Sequence, residues 1–80
     1  MNTATLLIES ALRLRKLAHG HRRDARKYQA LGKQAWADEH FADAARILSQ
    51  CRWMLWRARC EKDFQQTIER RRGHVYRDAA

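Results

Sequence analysis

Proline is absent from the 80 residues and glycine occurs only at Gly20, Gly32 and Gly73. Ala, Leu, Arg, Gln and Lys, the better helix formers, dominate what remains. A chain with so few places to turn has one economical fold, which is all-α with long helices. Its length makes one small domain, 1–80, and a core of that size usually needs a staple, a metal or self-association to be comfortably stable.

From Leu7 the apolar and small residues step alternately by four and three, through Ala11, Leu14, Ala18, His21, Ala25, Tyr28, Gly32 and Ala35. That alternation is a heptad seam. One of its columns, Ala11-Ala18-Ala25-Gly32, is small throughout and invites a second helix to approach closely, its large residues filling the space. Asp38-Glu39-His40 interrupts the seam, and Asp38 suits an N-cap with Glu39 in the first turn beyond it. The reading is therefore an antiparallel, coiled-coil-like hairpin: helix over about 3–37, turn at about 38–40, helix over about 41–72. Arg70-Arg71-Arg72-Gly73 supplies a stop signal, and 74–80 is expected to fray.

A turn at that place sets Ala25 opposite Trp53 and Ala18 opposite Cys60. The core seam then comprises Leu7, Leu14, Ala18, Ala25, Tyr28, Phe41, Leu48, Trp53 and Leu55, with Ala44, Cys51 and Ala58 in the second helix's own seam. Gly20 costs the first helix about 1 kcal/mol relative to alanine. A three-helix arrangement broken near Gly20 is thus the structural alternative.

The second helix carries more apolar surface than one neighbour can hide. Between Phe41 and Ala58 the apolar arc spans roughly 200° of the circumference, against about 100° for an ordinary surface helix. Two hairpins pairing into a four-helix bundle would cover it, so a homodimer is expected.

Catalytic and metal-binding equipment is not found. The serines are Ser10 and Ser49, no glycine-rich phosphate loop exists, and no acidic pair sits in an apolar setting. His19 and His21 are two apart and diverge on a helix, and there is neither a Cys-x2-Cys pair nor a His-x3-His motif. Neither an enzyme, a metal nor another cofactor is expected. Cys51 and Cys60 lie about 13 Å apart along one helix, too far for a disulfide, so both are read as reduced thiols. With no export signal and no run of about 18 apolar residues, the expectation is a cytoplasmic protein without a membrane partner.

Charge is the strongest remaining signal. Lys and Arg number 17 against 9 Asp and Glu, a net charge of +8. Arg22, Arg23 and Arg26 on the first helix and Arg57 and Arg59 on the second are candidate contacts to an acidic or nucleic-acid-like surface. Trp56 and Met54, in the dense cluster Trp53-Met54-Leu55-Trp56, are candidate desolvated anchors, with Trp53 assigned to the core. The same arginines would serve in a module that binds RNA or DNA through phosphates.

Tyr28-x2-Leu31-Gly32, Trp36, Phe41, Ala44 and Leu48 resemble one tetratricopeptide repeat, which implies helix-hairpin packing. A dimerising helical hairpin is also similar in plan to plasmid copy-number regulators that bind RNA. In size, alanine-arginine bias and surplus apolar surface the chain resembles the small accessory proteins of temperate phages and mobile elements, such as anti-activators, anti-CRISPR proteins and pilus inhibitors. That resemblance implies a stoichiometric regulator or inhibitor that occludes a host or regulatory protein.

Overall fold

A computed structural model describes the backbone of residues 2–79 and the side chains of residues 2–72. Two helices form an antiparallel hairpin: α1, Thr3–Ala30, and α2, Gln34–Ala79. No strand occurs among the described residues. The molecule is a rod, with extents of 73 × 17 × 11 Å and a radius of gyration of 20.3 Å. A compact domain of this length would have a radius of gyration of about 12 Å, so much less of this chain lies far from solvent.

Helix α1 starts where Asn2 caps it, its Oδ1 accepting from the Thr5 amide at 2.8 Å. It then runs unbroken through Gly20 to Ala30. The three-helix alternative is thereby excluded, because the seam keeps its phase across a single unfavourable residue.

The turn lies at Leu31-Gly32-Lys33 and not at 38–40. Gly32 adopts φ +74°, the left-handed conformation that favours glycine. Its amide donates to Gln29 O at 3.1 Å and the Lys33 amide to Tyr28 O at 2.9 Å, the bond pair of a Schellman cap. Asp38 lies in the second turn of α2, accepting from the Gln34 side chain at 2.7 Å, and is not its N-cap. The capping position falls to Lys33, whose carbonyl accepts from the Ala37 amide, and a lysine there gives no helix-start signal. At the far end α2 runs on through Gly73 to Ala79 in place of the expected stop. Glycine merely lowers helix stability there, and no proline follows to break the helix. The expected fraying of 74–80 falls outside the described side chains.

Moving the turn changes what meets what. The Cys51 thiol donates to the Ala11 carbonyl at 3.2 Å, which fixes the pairing of the helices. Counting along from that contact brings Ala4 level with Ala58, Ala18 with Ala44 and Ala25 with Ala37. All these residues, with Ala11 and Cys51, are buried, none more than 5% exposed. The expected pairings of Ala25 with Trp53 and Ala18 with Cys60 do not occur. Small residues face small residues, because α2 repeats Ala37-Ala44-Cys51-Ala58 at the same spacing as the alanine column of α1. The consequence is close approach of two backbones, with no large side chain fully buried among the described residues.

The remaining core-seam residues divide. Leu7, Leu14, Tyr28, Phe41 and Leu48 flank the buried column and are half-buried. Trp53 and Leu55 are 58% and 48% exposed, so Trp53 is not a core residue of the hairpin. In the true register it lies two residues beyond Cys51, turned away from α1.

Candidate functional site

Two broad faces flank the small-residue column, and each is built from both helices. Three residues beyond each buried position come Leu7, Leu14, His21 and Tyr28 on α1, and His40, Ile47 and Met54 on α2, all half-buried. The approach of His21 to His40 shows that both rows lie on one side of the hairpin, here the first face. Four residues beyond come Ile8, Arg15 and Arg22 on α1, and Phe41, Leu48 and Leu55 on α2. Ile8 and Leu55 line a groove of about 440 Å³ with Arg59, Lys62, Asp63 and Gln66, which marks the second face.

At the turn end of the first face, aromatic rings form a continuous stack. The Nδ1 atoms of His21 and His40 are 3.0 Å apart, with ring centroids at 5.2 Å. Tyr28 also stacks on His40, with centroids at 5.3 Å and planes at 10°, and Trp36 meets Tyr28 edge-on at 5.3 Å. Lys33 Nζ sits 4.4 Å over the Trp36 ring, a cation–π contact that closes the stack at the turn. Asp43, one helical turn beyond His40, comes near both imidazoles while pairing with Arg46 at 2.8 Å. Neither His40 nor Asp43 carries a signal in a linear reading, since His21 lies nineteen residues before His40. Aligning the two small-residue columns is the operation that would have found the pair.

Beyond the start of α1, α2 continues alone. From Lys62 to Arg72 it has no helix beside it, and Phe64 is 62% exposed there. The whole half of the rod away from the turn is the basic one, since residues 2–18 and 44–72 carry 11 Lys and Arg, among them Arg52, Arg59, Lys62, Arg70, Arg71 and Arg72, against Glu9, Glu61, Asp63 and Glu69. Nearer the turn, Arg22, Arg23, Arg26, Lys27 and Lys33 are interspersed with Asp24, Asp38, Glu39 and Asp43, which leaves that end close to neutral.

The candidate binding residues do not converge on one patch. Arg22, Arg23 and Arg26 lie toward the turn, whereas Met54, Trp56, Arg57 and Arg59 lie about 27 Å away at a rise of roughly 1.5 Å per residue. Met54 is half-buried on the first face; Arg22, Arg26 and Arg59 border the second. Arg23 and Trp56, the latter 59% exposed, lie on the outer surfaces of their helices. Arg57 is held by Glu61 on the next turn at 2.8 Å. The expectation of one patch failed because a turn at 38–40 is centred about eight residues beyond the true one, which shifts the pairing by about sixteen residues and sets Arg22 and Arg23 level with Trp56 and Leu55.

Both cysteines are free, Cys51 buried and Cys60 partly so. No helix among the described residues is long and apolar enough to cross a membrane. No protein family matches this chain, and no curated protein or solved structure does so either.

Proposed function

We propose that the chain is a non-catalytic interaction module that acts stoichiometrically in the cytoplasm by pairing with itself and docking on another protein. One observation carries this reading: among the described residues the hairpin buries alanines and a cysteine but no large side chain completely. Burial of that size is small against the conformational entropy of ordering two helices. The first face, with Leu7, Leu14, Ile47 and Met54, is the more apolar and pairs two hairpins into a four-helix bundle. The second face then stays outward. Its ridge of Phe41, Leu48 and Leu55, bordered by Arg22, Arg52 and Arg59, suits a partner with an acidic surface, or one that normally holds nucleic acid. Occlusion of that surface is the mechanism, as the likeness to accessory proteins of mobile elements implies.

The test is to replace Leu48 and Leu55 by Glu, confirm that helicity and self-association persist, and compare capture of binding partners from extract. A partner retained by the wild type and lost by this variant supports docking through the second face. Equal retention removes that face from the mechanism.

A second reading is favoured by the concentration of charge at the open end: Arg52, Arg59, Lys62 and Arg70 to Arg72 contacting nucleic-acid phosphates. Affinity for RNA or DNA that falls steeply with salt, and falls further when Arg70, Arg71 and Arg72 become Glu, would establish it.

A further inference from the structure

We propose that His21, His40 and Asp43 form a binding site for a divalent ion of the zinc type, which clamps α1 to α2 near the turn. The ligands come from both helices: His21 from α1, His40 and Asp43 from α2. Each offers one atom, and these atoms all lie within 4.8 Å of one another. The two Nδ1 atoms are 3.0 Å apart. Tetrahedral zinc with bonds of about 2.0–2.1 Å to nitrogen separates its ligand atoms by about 3.3 Å, so the imidazole pair needs only a slight opening.

The donor set selects the ion. Two imidazoles and one carboxylate suit zinc and its first-row neighbours, whereas calcium and magnesium prefer oxygen throughout. Three protein ligands leave a fourth position for water. The surroundings hold the ligands in place, since Tyr28 stacks flat on the His40 ring and is itself braced by Trp36. Helical spacing places Asp43 on the same side of α2 as His40. Asp43 already pairs with Arg46, but the Arg46 side chain is 71% exposed, and such a solvent-facing pair is weak enough to exchange for a metal bond. All three ligands are half-buried in the single hairpin, so an ion reaches them before a second copy covers the first face.

The alternative for the same geometry is a hydrogen bond between two neutral imidazoles, one donating and one accepting. The two are separated by titrating the chelator-stripped chain with zinc chloride, by calorimetry and by thermal unfolding, and with cobalt chloride as a spectroscopic probe. One zinc per chain, a raised unfolding temperature and the visible absorption of tetrahedral cobalt are expected. His21→Gln and His40→Gln, which keep a polar side chain of similar size, should each weaken zinc by at least the roughly 10–100-fold that loss of a mere supporting partner costs, and Asp43→Asn should weaken it less than either. His19→Gln should change nothing. Helicity measured on every variant distinguishes lost ligation from lost folding, and zinc affinity is compared only where helicity is retained. If both His variants fold poorly, methylation of accessible imidazoles in the wild type with and without zinc provides the second readout, with protection of His21 and His40 expected. Failure of the folded wild type to bind zinc at submillimolar concentration would overturn the proposal. So would unchanged affinity in a folded His21→Gln, His40→Gln double variant, an absorption band of thiolate bound to cobalt, or imidazoles equally reactive with zinc present.

Discussion

The Cys51 thiol donates to the carbonyl oxygen of Ala11 at 3.2 Å, so a side chain of only two heavy atoms spans the space between the helices. Such an approach is open only to helices with a small residue at every crossing level. Enlarging one of these residues must push the backbones apart. Ala18→Leu is expected to lower stability by roughly 1–3 kcal/mol through overpacking. Thermal or urea unfolding followed by helicity measures it, and an unchanged midpoint would show that the column is not the packed seam.

Gly20 and Gly32 should respond to substitution with opposite signs. A Cβ at Gly20 meets nothing within 4 Å, and the residue is mid-helix, so Gly20→Ala is expected to stabilise by about 0.5–1 kcal/mol. Gly32 is equally uncrowded but has φ +74°. Gly32→Ala is therefore expected to destabilise by about 1 kcal/mol, from backbone strain alone. Paired denaturation curves check both, and equal shifts of the same sign would contradict the turn geometry.

Much of this architecture was legible in the residues. The absence of proline and the run from Leu7 to Ala35 point to long helices, and Ala11, Ala18 and Ala25 are the buried column that their spacing implies. What misled the reading was the competition between two turn signals. Asp38-Glu39 has the chemistry of a helix start, while Gly32 fitted the small column and so looked like a core residue. The cap at Gly32 decided the outcome because Lys33 continues it with two backbone hydrogen bonds. Every cross-helix relation followed that choice, including the imidazole pair, since a turn near 39 would have set His21 level with Arg57 and left His40 in the bend. The exposure of Trp53 was hidden for the same reason.

The uneven distribution of charge gives a third prediction. Replacing Arg52 and Arg59 by Glu at the basic open end should weaken retention on a heparin column more than replacing Arg22 and Arg26, which lie among Asp24, Asp38 and Glu39. The eluting salt concentration reads the difference directly. Equal losses at both ends would mean that the rod acts as a uniformly basic surface.

A fourth prediction separates the two faces. Leu14→Glu with Ile47→Glu places charge on the half-buried first face, opposite the same face of a second copy. Self-association should be lost while the close contacts of the alanine column remain, leaving a less stable monomeric hairpin. Leu48→Glu with Leu55→Glu on the second face should leave self-association intact. Sedimentation of both variants provides the comparison, and a reversed pattern would assign pairing to the second face.

Sedimentation equilibrium of the wild-type chain over a wide concentration range tests most directly whether a hairpin with so thin a core stands alone. A reversible shift from the 9.5 kDa chain to twice that mass, with an unfolding midpoint that rises with concentration, is the result expected. A particle that remains at the mass of one chain at every concentration and unfolds cooperatively at a fixed midpoint would contradict it.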